Sequence, residues 1–483
     1  MRRFFKFAFS VCALLAISAG PTLSHAQVAE RLSQVKKIYV DSLGSDRGAA
    51  EMRKRVVRLL NKEHGVQVVS DAKQADAVVK GSGRIWVTGH VSLNPHSGGS
   101  TPTFGGVLSA EVIGRNGETL WSYLVSPSNF PWNGITDDLA HQFVAKLLAA
   151  IRNDGQQEPV VAGQQEQAEG TLRGAGATFP APIYQRWFEL FQEQNPRAHI
   201  TYDAVGSAEG IQRLEEGKVD FGASEMPLSD QAMSEAHQRF LHVPTVLGAV
   251  VVIYNVRGVR QNLNFTPEAL SGIFLGKIIK WNDPEIAKSN PGAALPDARI
   301  VVTHRSDGSG TTFVWTDYLS KISSQWKTSV GAGARVHWPV GVGAEGNEGV
   351  ADAVQRTPNS LGYVEFIYAI QHELSFGAVG NAAGQFIKAN ISSVTAAAAA
   401  TADTSGQDFR VSITNPPGDT AYPIATYTWL LIPELEKAKS KKKVLTELVR
   451  WMLTLGQKKC SALGYAPLPA GVARRALDSL DIR

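Results

Sequence analysis

From Thr171 to the C-terminus, short apolar runs alternate with segments of helical periodicity, and this alternation limits the folds open to the chain. The run Ile300-Val301-Val302, for example, is followed by a segment whose apolar residues recur at helical spacing. Strands separated by helices favour a mostly parallel sheet, because each helix covers one face of the sheet on its way to the next strand. The sequence therefore predicts a large α/β unit over residues 171–483.

A smaller α/β unit precedes it, and a polar stretch separates the two. Residues 153–170 are rich in Gln, Glu and Gly and lack apolar periodicity, as is typical of a linker. Within 27–152, apolar patterning predicts strands and helices. The predicted strands are 37–40, 66–69, 77–79, 86–88, 108–113 and 120–125, and the predicted helices are 49–63 and 139–151. Residues 92–106, full of Gly, Pro, Ser and Thr, are predicted to form a long loop. His90 and His96 lie in or beside it without further metal ligands, so no metal site is predicted there.

Residues 1–26 have the features of a cleaved signal peptide. Arg2, Arg3 and Lys6 precede an apolar run, and Ser24-His25-Ala26 offers a small-residue cleavage site. The run is too short to span a bilayer comfortably, so export is expected and a retained membrane anchor is the alternative. Cleavage removes three basic residues and no acidic one, which lowers the formal net charge from +4 to +1. A nearly neutral body argues against nucleic acid as a partner.

Cysteine usage excludes an intrachain disulfide in the mature protein. Cys12 leaves with the signal peptide, and Cys460 is then the only thiol. Cys460 is predicted to be a small buried apolar residue on a C-terminal helix.

Four segments of the larger unit carry residues suited to an anion. They read TLRGAGATFPAP at 171–182, AVGSAEG at 204–210, VDFGASEMP at 219–227 and HRSDGSGTT at 304–312. Three of them lead into a helix, where free N–H groups and the positive end of the helix dipole favour an anion. Arg305 adds a planar, permanently charged fork for oxyanions, and Asp307 is placed to hold it. The last segment is not a Walker A loop, because the lysine is missing.

The hydroxyls and the carboxylate of these segments narrow the ligand. Ser207 stands at the start of a helix, where it either caps the helix or faces a ligand. Ser309 and Thr311 supply further hydroxyls, and Glu225 stands where a strand ends. A carboxylate beside an anion is repulsive unless the anion brings a proton, which hydrogen phosphate has at neutral pH and sulfate lacks. The sequence therefore predicts phosphate in preference to sulfate.

In order along the chain, the four segments together with PLSD, FLGKIIKWNDP and GYVEF resemble the periplasmic phosphate-binding proteins of the high-affinity phosphate ABC transporter. The likeness covers 171–483 and leaves out 27–154. It implies a type II-like, two-lobed, hinged periplasmic binding protein fold, with lobe I at 171–250 and 420–483 and lobe II at 251–419. It further implies a monomer in the periplasm that binds inorganic phosphate without a cofactor or metal and delivers it to the transporter's permease subunits.

The resemblance also implies roles for individual residues. The implied hydrogen-bond donors to phosphate are Ala177, Thr178, Phe179, Ser207, Ser309, Gly310 and Thr311. Arg305 is implied to bind the anion, with Asp307 orienting it. The proton acceptor falls at Glu225, where the family usually has aspartate, so the extra methylene is a departure that bears on affinity and selectivity.

Two other functions remain open at this point. One is a hydrolase, either a phosphatase or a glycosidase with Glu225 and Asp307 as paired carboxylates. A phosphatase needs a metal cluster or an activated nucleophile, yet the eleven histidines are scattered and Ser309 has no evident base. A glycosidase leaves Arg305 unexplained. The other is a phosphate sensor or envelope-attached scavenger, which would give the additional N-terminal domain a purpose.

Overall fold

The computed structural model of the 483-residue chain describes residues 31–483 except 46–47, 64, 93–99, 126, 128–133, 154–169, 237–238, 260–261, 402–408, 435–438 and 482–483. The predicted signal peptide, His96 and most of the predicted linker lie outside the described residues. Within the described ranges, no helix is long and apolar enough to cross a membrane.

The N-terminal domain is a five-stranded sheet with two helices packed on one face. Its strands are β1 (Lys37–Val40), β2 (Gln67–Val68), β3 (Ala77–Ser92), β4 (Ser100–Gly114) and β5 (Thr119–Val125), and its helices are α1 (Ala49–Leu60) and α2 (Ile135–Asn153). The strand order is β2-β1-β3-β4-β5, parallel from β2 to β3 and antiparallel from β3 to β5. Met52 and Phe143 are among the helix residues buried against the sheet.

The prediction of a long loop at 92–106 is wrong for much of that range. Strand β4 begins at Ser100, which pairs with Ser92 across the hairpin, so residues 100–106 are strand. Likewise, the strands predicted at 77–79 and 86–88 are parts of one strand, β3, with an irregularity between Val87 and Gly89. Local composition disfavours a strand here, but pairing with a neighbouring strand overrides a weak local preference.

The other face of this sheet packs on the larger domain. Val107 on β4 and Leu124 on β5 are buried in the core of the larger domain, whereas their neighbours Leu108 and Val125 face the two helices. This arrangement follows from the strand period, since successive side chains point to opposite faces. The larger domain therefore covers the second face of the sheet at β4 and β5, whereas Lys80 and Ser82 on β3 are exposed.

The larger domain alternates strands and helices along its length, as expected. Its strands are β6 (Gly170–Gly176), β7 (Ala198–Ala204), β8 (Phe221–Ser224), β9 (Phe240–Asn255), β10 (Asn264–Phe265), β11 (Val301–Arg305), β12 (Val342–Ala344), β13 (Ser360–Glu365), β14 (Ser375–Phe376), β15 (Ala378–Gly380), β16 (Phe386–Ile387) and β17 (Ala425–Pro433). Its helices are α3 (Ala181–Gln194), α4 (Ser207–Glu215), α5 (Asp230–Glu235), α6 (Pro267–Phe274), α7 (Pro284–Ser289), α8 (Gly310–Ile322), α9 (Ser324–Ser329), α10 (Gly346–Arg356), α11 (Phe366–Gln371), α12 (Ile391–Ala399), α13 (Lys439–Leu453), α14 (Gln457–Cys460) and α15 (Ala470–Asp481). Cys460 is buried at the end of α14, as predicted.

The main sheet is mixed, which corrects the expectation of a mostly parallel sheet. Its strand order is β12-β11-β13-β9-β17-β8-β6-β7, and β14 also pairs with β9. The outer pairs are parallel, but the pairs β13–β9, β9–β17 and β17–β8 are antiparallel. The small sheet β10-β15-β16 lies apart from it. Strands joined by a helical crossover run parallel, and such strands pair at the two ends of the sheet. In the middle, β9 and β17 run antiparallel to each other.

Strand β9 joins the two halves of the main sheet. It pairs with β17 over 240–249 and with β13 over 250–255. We refer to the part around β6, β7, β8 and β17 as lobe I and to the part around β11, β12 and β13 as lobe II. The residue bounds predicted for the lobes, like those of the N-terminal domain, stay a prediction.

Candidate anion-binding site

The four predicted segments meet where lobe I faces lobe II. Residues 177–179 connect β6 to α3, Ser207 is the first residue of α4, and Glu225 follows β8, all in lobe I. The segment 305–311 connects β11 to α8 in lobe II. The lobes are in direct contact here, because the Ala208 N–H donates to the Gly308 carbonyl at 3.1 Å.

The start of α8 lies directly against the lobe I residues. Gly310 opens this helix, and a Cβ at that position would lie 2.4 Å from both Glu225 Oε2 and Ser207 Oγ. Only glycine allows so close an approach. Ser309 caps α8, since its Oγ accepts the Thr312 N–H at 3.1 Å, and this leaves the hydroxyl proton of Ser309 for another acceptor.

The carbonyl groups of 177–179 are each held by a tyrosine hydroxyl. Tyr202 donates to the Ala177 carbonyl (2.8 Å), Tyr368 to that of Thr178 (2.7 Å) and Tyr465 to that of Phe179 (2.7 Å). These bonds fix the peptide planes that lead into α3. The first two planes contain the Thr178 and Phe179 N–H groups, which are thereby fixed in direction, whereas the third ends at the nitrogen of Pro180, which has no N–H.

Most of the predicted backbone donors are available. Among the described residues, the N–H groups of Thr178, Phe179, Ser207, Gly310 and Thr311 donate no hydrogen bond. Two predicted contributors differ. The Ala177 N–H already donates to the Ala223 carbonyl at 2.9 Å, and the Ser309 N–H donates to the Ala334 carbonyl at 3.0 Å. Ala177 therefore does not offer its N–H, and Ser309 offers only its hydroxyl.

Arg305 ends β11 and is almost wholly buried. Its Nε donates to Asp307 at 2.7 Å and its Nη2 makes a second bond to the same carboxylate. Asp307 also accepts the Gly346 N–H at 3.1 Å. Burial alone would raise the pKa of Asp307, but the hydrogen bond and charge of Arg305 outweigh it and hold that pKa below its ordinary value. Asp307 therefore holds the guanidinium in place, as predicted from their spacing.

Glu225 is a buried carboxyl in the middle of these donors. Thr428 on β17 donates to its Oε1 at 2.8 Å, and Ser207 Oγ lies 3.5 Å from its Oε2. Burial raises the pKa of Glu225 to about 8, although Thr428 and Arg305 act in the opposite direction. The carboxyl therefore changes between its neutral and ionised forms close to neutral pH, which suits a group that shares a proton with a ligand.

Among the residues that sequence reasoning missed is Asn347, which is buried at the centre of the site on the first turn of α10. Its Nδ2 donates to Thr178 Oγ1 at 2.9 Å and to Thr311 Oγ1 at 3.2 Å. A signal was present, because GAEGNEG at 343–349 is a glycine-rich strand-to-helix turn like HRSDGSGTT. Thr428 and the three tyrosines gave no such signal.

The chemistry of the site does not include a cluster of metal ligands. In the part of the chain that the structure describes, one group of His, Asp and Glu side chains has ligand atoms close enough for an ion: Glu348, Asp352 and His372. These residues are on the outer part of α10 and just after α11, and they are already paired with each other.

A two-lobed α/β protein that gathers helix starts, one arginine and one carboxyl between its lobes has the architecture of a solute-binding protein. Residues 161–454 match the PBP superfamily domain. The chain belongs to this superfamily, and the predicted two-lobed binding-protein fold is confirmed.

Relatives with high identity narrow the family further. The chain is 41% identical over 306 residues to the phosphate-binding protein PstS of Pasteurella multocida strain Pm70, covering 63% of this chain and 88% of that protein. It is 40% identical over 305 residues to the phosphate-binding protein PstS of Xylella fastidiosa strain Temecula1, covering 63% and 83%. The chain therefore belongs to the PstS family of phosphate-binding proteins.

A solved structure supports the fold. The high-affinity periplasmic phosphate-binding protein PfluDING, bound with phosphate, superposes with a TM-score of 0.52 at 20% identity. The match covers 64% of this chain and 94% of that chain.

Proposed function

We propose that the protein binds inorganic phosphate outside the cytoplasm and delivers it to a phosphate ABC transporter. The observation that carries the proposal is a buried carboxyl, Glu225, placed among hydrogen-bond donors and opposite Arg305. A site of donors alone would accept any small oxyanion. A carboxyl within it favours an anion that brings its own proton, as hydrogen phosphate does.

We further propose that the site binds and does not catalyse. Asp307 has both oxygens engaged by Arg305, so it is not available as a partner carboxylate for Glu225. Ser309 is engaged as the cap of α8. The related proteins are phosphate-binding proteins, which supports this reading.

The location and partners are part of the same proposal. The basic and apolar N-terminal sequence and the PstS relatives support a periplasmic protein released by signal cleavage. Its partners would be phosphate and the permease subunits of the transporter, and the protein would act as a monomer without nucleic acid.

Calorimetry of the mature protein against four anions tests the ligand. Phosphate is expected to bind tightly and arsenate, which has the same shape and protonation, to compete with it. Sulfate is expected to be excluded at pH 9, where Glu225 has lost its proton, and pyrophosphate to be too large for the closed lobes. Absence of phosphate binding would refute the proposal.

Arg305→Ala tests the site itself. The substitution removes the buried cation of the site and leaves the Asp307 carboxylate without its Arg305 partner, so phosphate affinity is expected to fall about 100-fold or more. Arg356→Ala on α10 is a matched control, because this arginine is 76% exposed and, within the described residues, forms an ion pair only with Asp352. It should retain the wild-type dissociation constant. Equal affinities for both variants would place the anion elsewhere.

A further inference from the structure

Asn347 has every polar atom of its side chain engaged. The residue is fully buried, its Nδ2 donates to the hydroxyl oxygens of Thr178 and Thr311, and its Oδ1 accepts the Glu365 N–H at 3.0 Å. The Glu365 N–H can only donate, so it fixes which end of the amide is oxygen. The nitrogen must therefore face the two threonines.

This arrangement determines where the two hydroxyl protons point. A hydroxyl whose oxygen accepts an N–H must direct its own proton to a different atom. Thr311 is doubly constrained, because Arg305 Nη1 also approaches its Oγ1 at 3.3 Å. Both threonines are thus made into donors, and both stand among the anion-facing residues of the site.

We propose that Asn347 is a positioning residue that turns Thr178 and Thr311 into hydrogen-bond donors for the bound phosphate. The inference rests on the proposed function. It also adds a structural role, because Thr178 belongs to lobe I and Thr311 to lobe II. The bond from Asn347 to Thr178 forms only when the lobes meet, so closure and donor orientation occur together.

Substitution by aspartate distinguishes this role from simple packing. N347D keeps the size and shape of the side chain, so a merely structural role predicts that it is milder than N347A. Under our proposal it is worse, because a carboxylate accepts from both threonine hydroxyls and draws their protons away from the anion. It also adds a negative charge beside the anion.

The test is calorimetric titration with inorganic phosphate between pH 5.5 and pH 8.5. N347A is expected to bind phosphate about 10-fold more weakly than wild type, as for the loss of supporting hydrogen bonds. N347D is expected to lose about a further 10-fold at pH 8.5. As the pH falls, protonation of the introduced carboxyl restores a donor, so the affinity of N347D relative to wild type at the same pH should recover.

Asn381→Asp is the matched control. Asn381 is another buried asparagine, just after β15, whose Nδ2 donates to the carbonyls of Gly418 and Asp419, away from the site. N381D should lower the melting temperature while phosphate affinity stays near wild type. Such a result would show that a buried negative charge alone does not abolish binding.

The outcomes separate the two proposals. Failure of the wild-type protein to bind phosphate removes the proposed function and this inference with it. Wild-type binding with N347D as tight as N347A, or with a penalty independent of pH, overturns the role of Asn347 alone. If N347D does not fold, a double-mutant cycle between N347A and T178A decides, since coupled losses support the inference and additive losses contradict it.

Discussion

The Glu225 carboxyl can act in two ways toward an anion, depending on its charge. With its proton it donates a hydrogen bond, which sulfate accepts as readily as phosphate. Without its proton it accepts one, which only a protonated anion can supply. Burial raises the pKa of Glu225 to about 8, so the change between these states falls within the range in which binding is measured.

The ratio of phosphate affinity to sulfate affinity should therefore rise with pH. We expect it to increase between pH 6 and pH 9 in the wild-type protein, as Glu225 loses its proton. In Glu225→Gln the amide can donate to sulfate at every pH. The ratio should therefore be roughly 10-fold or more below the wild-type ratio at pH 8.5, and the rise caused by ionisation of Glu225 should be absent. Competition calorimetry measures both ratios, and comparison at equal pH removes the effect of phosphate's own ionisation.

Glu209→Gln provides the control for this variant. Glu209 is on the same helix as Ser207, but its carboxylate pairs with Arg213. It should keep the wild-type ratio. If Glu225→Gln still excludes sulfate, selectivity does not depend on a hydrogen bond from the protonated anion to the Glu225 carboxylate.

The chemistry of individual residues was predictable where a local motif carried it. Arg305 with Asp307, and Gly310 beside a helix start, are neighbours in sequence and adopt the arrangement that their spacing predicts. Tyr465 and Thr428 were not predictable, because they reach the site from distant parts of the chain through the main sheet. The engagement of the Ala177 N–H likewise depends on a carbonyl of the neighbouring strand β8.

At the scale of elements, the start of α8 is the part of lobe II that seals the site against lobe I. Gly310 stands so close to Glu225 and Ser207 that no side chain fits between them. The backbone nitrogen of Glu225 would also lie 3.0 Å from an added Cβ, and a backbone atom cannot move aside as a side chain can. Closure of the lobes therefore depends on a glycine at this position.

Gly310→Ala is expected to hold the lobes slightly apart. Forcing a methyl group into a packed contact costs about 1–3 kcal/mol, so phosphate affinity should fall about 10-fold or more. Calorimetry measures the affinity, and small-angle scattering with saturating phosphate should show a larger radius than wild type. Gly471→Ala on α15 is the control, because an added Cβ meets no atom within 4 Å there and the change should leave affinity unaltered. Wild-type affinity in Gly310→Ala would contradict the closed contact.

Helices and strands could be predicted where apolar residues recur at a regular spacing, but residue composition was a poor guide to them. The helices of both domains follow their apolar spacing, with ends that differ by a few residues, as for α1, which ends at Leu60 and not at Glu63. The strand at 100–106 was hidden by its Gly, Pro, Ser and Thr content, because its stability comes from pairing with β3. The direction of β9 and β17 was also beyond local patterns, since strand direction is set by the whole topology.

At the scale of the whole molecule, the N-terminal domain contacts the larger domain through polar residues of β4 and β5 that alternate with apolar ones. Ser109 Oγ donates to the Ala462 carbonyl at 2.6 Å, and Ser122 Oγ donates to the Lys458 carbonyl at 2.5 Å. In the sequence, such alternation on β4 and β5 is typical of a strand with one face in water. The structure uses that polar face for contact between domains.

Two ion pairs join the domains in the described residues, Arg84–Glu373 and Glu111–Lys459, and the second makes this contact testable. Lys459 Nζ lies 2.8 Å from Glu111 Oε2, and Thr119 Oγ1 donates to the same oxygen at 2.9 Å. The two charged side chains are only 20% and 27% exposed, so the pair is shielded from solvent more than a surface pair. Glu111→Lys places two ammonium groups together in this space.

We expect Glu111→Lys to lower the free energy of unfolding by about 2 kcal/mol, between the values for surface and buried pairs. If the contact couples the two domains, calorimetric unfolding should also change from overlapping to separate transitions, because the N-terminal domain then unfolds without its partner. Glu118→Lys makes the same charge change in the turn between β4 and β5, where the carboxylate accepts a hydrogen bond from Asn116 Nδ2 at 3.2 Å. It should leave the unfolding profile near wild type. Equal destabilisation by the two variants would mean that net charge, and not the contact with Lys459, sets the effect.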